Sequence, residues 1–366
     1  MLRRSVTSLE SSPKVPDWWV LLFAEAKRTS IFLTSEWIQT WLDVYGQGFL
    51  GQWICWDMNG RVVGGCLILT RVMRKQVFSI RTTYFNATGD ATERTPLAEF
   101  NDVLFIEPYG EKIANDLAKF LMTQQWDRLF VSGYEPGGVL HMLSELLPTS
   151  SLQHEPETAA YVDLRLLENS AFEKMLSANT RSQIKRSQRR YEEQTGTITI
   201  CRAETVLEAI AYLDQLATFH NERRAAKGEA GTFESNAIVS FHKKLIPILF
   251  AQSHVDLLRI TSGVTPIGYL YNFVRNGKVY FFQSGFHYDG DAKMKPGLLA
   301  HALVIQYYAE NGKAEYDFLA GDSQYKRSLT KQSRPLNWSV LYRDNWRARG
   351  LLVLKRFFGW LLNKPR

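Results

Sequence analysis

The fold turns on Lys278–Lys326, KVYFFQSGFHYDGDAKMKPGLLAHALVIQYYAENGKAEYDFLAGDSQYK. Lys278–His287 is aromatic and β-branched, follows Asn276-Gly277, and is preceded by a second strand-like run, Pro266–Arg275. Asn-Gly between two such runs predicts a hairpin, because both residues tolerate the positive φ of a type I′ turn. A polar stretch, Tyr288–Ala292, then leads through Lys293, Lys295, Pro296 and Gly297 into an apolar run from Leu298 to Tyr308. Proline at the first turn and the 3–4 spacing of Leu299, Leu303 and Tyr307 predict a helix directly after the strand. Free N–H groups, the helix dipole and two lysines meet there, which suits a phosphate; a glycine at that point lets an anion approach the backbone closely. Glu315–Leu319 reads as the next strand. Strand, helix, strand at this length implies a parallel pair with ligand at its carboxyl end.

Before this block, Asp17–Lys27 and Ser35–Tyr45 read as helices, the second with Ser35 as N-cap. Gly51–Asp57 and Val62–Thr70 form a hairpin around Asn59-Gly60. Val77–Glu107 is not assigned to elements and is a place for substrate contacts. Glu111–Gln125 and Gly137–Leu147 read as helices, Arg128–Ser132 and Ala159–Leu166 as strands. Trp53 and Trp56 fit a core better than a carbohydrate platform. Further on, Ser177–Glu193, Val206–Ala226 and Glu234–Phe250 read as helices and Ile198–Arg202 and Asp256–Thr261 as strands. The first helix concentrates charge: Arg181, Lys185, Arg186, Arg189 and Arg190 lie within ten residues. Arg181 and Lys185, one turn apart, are candidates for a substrate anion.

The chain has 366 residues, 45% hydrophobic and 22% charged, with a formal net charge of +7. That size allows two domains, and the modest charge suits an acidic small ligand better than duplex nucleic acid. Met1–Pro16 is polar, without the apolar core of a secretory signal, and is expected to be a disordered leader. No apolar run is long enough for a membrane span. The three cysteines, Cys55, Cys66 and Cys201, match no zinc spacing and are expected to be buried thiols in a reducing, cytoplasmic setting. Asp344–Arg366 mixes arginines and lysines with Trp346, Phe357, Phe358 and Trp360 and is expected to be a basic amphipathic helix able to lie on a membrane surface at the inner face of a cell.

The succession FFQSGFHYD, KPGLLAHAL, EYDFLAGDSQYKRSL resembles the C-terminal part of the GNAT superfamily of N-acetyltransferases. Within it the likeness is to the CelD-like, cellulose-biosynthesis branch, related to the Fem-type peptidyltransferases. The resemblance spans about residues 170–345. It implies an α/β (α+β) fold of tandem GNAT-like domains, each a mixed, mostly antiparallel sheet flanked by helices. The expected division is a leader at 1–16, a degenerate first copy at 17–166, a catalytic copy at 167–344 and the basic helix at 345–366.

The implied activity is acyl-CoA-dependent N-acyl transfer, typically acetyl transfer from acetyl-CoA to an amine such as an amino sugar or precursor of a bacterial polysaccharide or envelope, with no metal. The alternatives are a Fem-like transferase using aminoacyl-tRNA and a non-catalytic envelope-assembly binding protein. By resemblance, Gln283, Ser284, Gly285 and Phe286 pair with the pantetheine arm. Lys293, Lys295, Gly297, Leu298 and Leu299 form the pyrophosphate turn, and Gly285 or Phe286 supplies an oxyanion contact. Tyr325 corresponds to the acid, Lys326 to a lysine set against developing charge, and Asp322 or His287 to the base. Arg181, Lys185, His220 and Arg223 face the acceptor, with His220 a second possibility for the base. One departure stands out. When Gly297 is set on the first glycine of the GNAT phosphate loop, Met294 stands where that loop has Gln or Arg, and Leu299 where it has a second glycine.

Overall fold

The computed structural model describes residues 1–10, 14–74, 79–89, 95–148, 151–167, 171–288, 290, 291 and 293–362. In chain order the elements are β1 Leu2–Ser8, α1 Asp17–Glu25, α2 Ser35–Tyr45, β2 Leu50–Met58, β3 Arg61–Arg74, β4 Ser79–Phe85, β5 Leu104–Phe105, α3 Gly110–Thr123, β6 Arg128–Tyr134, α4 Val139–Leu146 and β7 Ser151–Asp163. There follow α5 Ala178–Thr195, β8 Ile198–Arg202, α6 Val206–Ala225, α7 Asn236–Ala251, β9 Val255–Ser262, β10 Thr265–Arg275, β11 Lys278–Phe286, α8 Pro296–Glu310, β12 Glu315–Ala320, α9 Gln324–Leu329, β13 Ser333–Tyr342 and α10 Trp346–Leu362. Two compact units result: Met1–Pro156 with Pro335–Arg366, and Glu157–Arg334.

In the first unit the strands run in the order β1-β2-β3-β4-β6-β13, antiparallel except for β4 and β6. The hairpin β2–β3 turns at Asn59 and Gly60, both at positive φ as its Asn-Gly requires. Trp53 and Trp56 are core residues, almost fully buried; Trp53 packs edge-on to Trp18 and Trp19. Three expectations are corrected here. Leu2–Ser8 is not a disordered leader but a strand paired with β2 along seven residues, anchored by Arg4, which pairs with Asp116 and lies over Phe120. The N-cap of α2 is Thr34, whose hydroxyl accepts from Trp37 N, one residue before the expected Ser35. Residues 335–344, expected with the catalytic copy, belong to this unit because β13 pairs with β6. Of the cysteines, Cys66 is buried and Cys55 and Cys201 half-buried; all three are free.

Between β4 and β6 the first unit is filled by its own chain. Asn101 donates to Phe85 O at the end of β4 and to Ser132 Oγ on β6, and its backbone N–H reaches Gly133 O. Asn86 bonds Asn101 and Asp102, while Thr88 receives Ala98 N and Ser132 Oγ. All these side chains are buried and mutually satisfied, as buried polar groups must be. This network occupies much of the unassigned stretch 77–107; residues 77, 78 and 90–94 lie outside the described residues.

The second unit orders its strands β7-β12-β11-β10-β9-β8, with β11 and β12 the parallel pair. Asn276 and Gly277 turn β10 into β11 at positive φ. The helices divide between the two faces by the alternation of strand side chains. Ile184 and Tyr191 of α5 and Leu299, Val304, Ile305 and Tyr308 of α8 share a core with Leu270, Val279 and Phe281. Tyr212 of α6 and His242 of α7 meet Tyr269, Tyr271 and Phe282 on the opposite face. The helix α10 begins by docking: Ala348 and Leu351 cluster with Ile80 and Tyr342. The side chains of 355–362 and residues 363–366, on which the basic surface of this helix was expected, lie outside the described residues. Among the described residues no helix is long and apolar enough to cross a membrane.

Candidate active site

The parallel strands β11 and β12 are joined only where they begin. Lys278–Tyr280 pair with Glu315–Asp317, and there the Lys278 ammonium holds Glu315 and the buried Asp317, each at 3.1 Å. Beyond Tyr280 the two strands separate. Both bend: β11 carries an extra residue, Phe282, against β10, and β12 turns at Leu319, which has φ 58° and donates its N–H to Asp317 Oδ1 at 2.7 Å. The result is a V closed at one end by ion pairs and open at the other.

A cleft of about 840 Å³ opens at the V, lined from one face by Phe219, His220, Arg223 and Arg224 of α6 and Lys227 just after it, and from the other by Lys295–Leu298 and His301. Its floor is the free side of β11. Pairing with β10 places His287 N on Ile267 O at 3.0 Å, so by the alternation of an antiparallel ladder Gly285 N–H also faces β10, and Ser284 and Phe286 face the cleft. Ser284 N–H is taken by Gln283 Oε1 at 3.0 Å. Phe286 N–H is left as the donor on that side. Gly285 is needed for another reason: a Cβ there would stand 2.2 Å from Leu216 O, so glycine is what lets α6 lie against β11.

At the open end α8 starts with Pro296, which has no N–H to lose, and Gly297, where a Cβ would approach the Phe286 ring to 3.1 Å. The N–H groups of Gly297 and Leu298 have no partner within the helix and sit beside Lys295 at the positive end of its dipole. This turn is braced from α5: Lys295 N donates to Ser187 Oγ at 3.1 Å, and Arg190 pairs with Asp291, which also receives Lys293 N.

His220 reaches the floor through Nδ1, 3.3 Å from Ser284 O. A ring nitrogen facing a carbonyl oxygen must carry the proton, which leaves Nε2 as the lone-pair nitrogen; it is buried without a partner among the described residues. Burial holds the His220 pKa below its ordinary value, and Arg224 adds to this against the pull of Ser284 O. Opposite, Tyr325 opens α9 and stacks on His301 with centroids 5.1 Å apart and planes at 15°. Burial raises the phenol pKa well above its ordinary value, so the group keeps its proton. His301 itself is buried, bonds Tyr316 OH through Nδ1 at 3.2 Å, and has its pKa pushed down to about 3 by burial and by Lys326.

The expected site residues separate into two groups. Gln283, Ser284, Gly285, Phe286, Lys295, Gly297, Leu298, His220, Arg223 and Tyr325 come together on the cleft. The others do not line it. Leu299 is a core residue of α8, fully buried, a burial worth roughly 1.5–3 kcal/mol. Lys293 is exposed, and His287 is exposed beside Phe219. Asp322 is on the surface in an ion pair with Arg327. Lys326 is buried, its ammonium donating to Leu319 O at 3.1 Å and Ala320 O at 2.7 Å, where it ties the bend of β12 to α9. Arg181 donates to Glu173 O and Lys185 pairs with the Glu173 carboxylate, so α5 spends these cations on its own neighbours. His301 was missed by sequence reading, since one histidine inside an apolar helix carries no local sign of function.

With this geometry in place, the comparisons bear on part of the second unit. Residues 178–327 match the family model described as Acetyltransferase (GNAT) domain. This segment is a GNAT domain. Its fold is that of an acyltransferase, and among the described residues no group of His, Cys, Asp and Glu could hold a metal ion. Along most of the chain the structure is similar to that of FemX, with a TM-score of 0.57 at 10% identity, covering 88% of this chain and 94% of that one. It is also similar to L-PGS from Bacillus licheniformis, TM-score 0.53 at 10% identity, covering 93% and 96%, and to a conserved protein of Bacteroides thetaiotaomicron VPI-5482, TM-score 0.51 at 9%, covering 94% and 100%. At these identities the likeness is one of fold. No curated protein matches the sequence.

Proposed function

We propose that the GNAT domain transfers an acyl group from acyl-CoA, in the simplest case acetyl-CoA, to the nitrogen of an amine. The observation that carries this reading is the open V: β11 has an unpaired side, and its free end runs into a helix start with unspent N–H groups and a lysine. An extended pantetheine arm is the kind of ligand that adds to a strand edge, and a pyrophosphate the kind that sits on a helix N-terminus. Ser284 and Phe286 would face the arm; Gly297, Leu298 and Lys295 would hold the phosphates. The donor supplies a thioester carbonyl. Phe286 N–H, directed into the cleft and fixed by the ladder, is the group placed to stabilise the oxyanion.

His220 takes the base role in this reading, in place of Asp322 or His287. Its Nε2 is unprotonated and its pKa is lowered, so it can receive the amine proton at neutral pH. Tyr325 retains a proton to return to the departing thiolate. His301 and Lys326 act behind it, one stacking on its ring and the other holding the turn that carries it. The first unit is given no such role here, since Asn101, bonded to Phe85 O at the end of β4 and to Ser132 Oγ and Gly133 O on β6, bridges the corresponding gap between those strands. The polysaccharide or envelope setting, and attachment to a membrane surface through α10, rest on the sequence resemblance and belong to the same proposal. Transfer from aminoacyl-tRNA is the second reading, favoured by the incomplete phosphate loop and by the structural likeness to FemX.

The test is calorimetric titration with acetyl-CoA, with CoA and with an aminoacyl-tRNA. Saturable binding of acetyl-CoA, weakened about tenfold or more by Lys295→Ala because a charge-assisted phosphate contact is lost, is the expected result. Binding of the tRNA alone would replace this reading with the second.

A further inference from the structure

The α6 side of the cleft carries positive charge that the donor does not explain. His220 and Arg223 lie three residues apart on α6, about 4.5 Å apart along its axis, and Lys227 follows in the turn just past the end of the helix, its N–H on Arg224 O. All three line the cleft. Arg224, beside Arg223, is already engaged with Glu229 and with Ala230 O. The guanidinium carbon of Arg223 lies over the Tyr288 ring, 4.2 Å from its centroid, a cation–π contact that positions the group without a carboxylate. The acidic lining residue Asp291 is paired with Arg190 of α5. Among the described residues neither Arg223 nor Lys227 has a carboxylate partner. The phosphate-type turn at Lys295–Leu298 is on α8, which packs on the opposite face of the sheet.

We infer that the acceptor is an amine that also bears an anionic group, a phosphate or a carboxylate, and that Arg223, one helical turn beyond the His220 base, and Lys227, in the turn that follows α6, bind that group. This rests on the N-acyltransfer reading. An amine presented to His220 from the α6 side would extend toward the C-terminal end of the helix, so its anion meets Arg223 first and Lys227, past the helix end, next. Arg223 offers two parallel donors to either oxyanion, and Lys227 a point charge.

The experiment is direct binding to the full chain, without donor, by calorimetry with two matched pairs: D-glucosamine 6-phosphate against D-glucosamine, and L-alanyl-L-alanine against its C-terminal amide. At least one anionic member is expected to bind about tenfold or more tightly than its neutral partner, and the pair that does so tells phosphate from carboxylate. Arg223→Ala and Lys227→Ala should each remove most of that preference, and Arg223→Lys should restore part of it. Both positions are exposed, so the variants are expected to fold. CoA titrations of the same variants separate the two sites. Equal binding within both pairs would overturn the inference, as would a preference untouched by the variants while CoA affinity falls, which would assign these cations to the donor. If CoA fails to bind the wild type, the donor reading is lost, and the anion preference still supports or overturns this one because no donor is present.

Discussion

Burial drives the pKa of His220 down and that of Tyr325 up, so both are neutral at pH 7, one with a lone pair that has no hydrogen-bond partner among the described residues and one with a proton. The proposed acyl transfer needs one of each. Tyr325→Phe keeps the ring that stacks on His301 and removes only the hydroxyl; kcat is expected to fall about 10²–10⁴-fold, with CoA affinity close to wild type. His220→Gln keeps a donor toward Ser284 O and removes the basic nitrogen. In wild type the acid limb of kcat/KM should lie below pH 6.5, since the base must lose its proton and its pKa is lowered. That limb should be missing from the residual activity of His220→Gln. A limb unchanged in the variant would show that another group takes the proton.

At the scale of elements, the site depends on how closely α6 can approach β11. Gly285 has no Cβ, and one added there would come within 2.2 Å of the Leu216 carbonyl oxygen, a backbone atom that cannot turn aside. Gly285→Ala should therefore push α6 away and cost about 1–3 kcal/mol, read as a lower urea midpoint. It should also weaken the His220–Ser284 contact, so activity should fall further than stability alone accounts for. If activity per folded molecule were unchanged, the seat of α6 would not be what positions His220. The helix α5 acts at the same scale. Its cations looked like a ligand-binding run in one dimension; in three, Arg190 and Ser187 brace the turn before α8, and Arg181 and Lys185 hold Glu173.

Over the whole molecule, the histidines set an acid limit. His242 and His301 are fully buried, and each has its pKa pushed down to about 3, against 6.5 for an accessible imidazole. Below pH 6.5 the unfolded chain takes up protons that the folded chain refuses, so their contribution is intact above 6.5 and is lost as pH falls toward 3. Each contributes a slope approaching about 1.4 kcal/mol per pH unit within that window. Urea midpoints measured from pH 7 to 4 should fall, and less steeply for His242→Gln/His301→Gln; equal slopes would mean that neither imidazole resists protonation in the native state.

The elements around the site were legible because their signals are local. Asn276-Gly277 and Asn59-Gly60 require positive φ, Pro296-Gly297 opens a helix, and apolar spacing marks the strand and helix faces. The strand-edge residues Gln283–Phe286, the turn at Lys295–Leu298, Tyr325, His220 and Arg223 were legible too, since each lies in or one turn from such a signal. What stayed hidden depends on partners far along the chain. Leu2–Ser8 is a strand only because β2 is there to pair with it, and Ser333–Tyr342 closes the first unit from the far end of the chain. Asp322, His287, Lys293 and Lys326 stand beside the motif residues in sequence, yet the bends of β11 and β12 carry them to the surface or into the fold. His301 enters the cleft from the middle of a buried helix. The sequence by itself determined the elements and the chemistry they carry, since φ preference and apolar period are properties of neighbouring residues. Only the tertiary structure decided which polar groups face the cleft and which are spent on ion pairs, because that depends on distances between elements that no local pattern encodes.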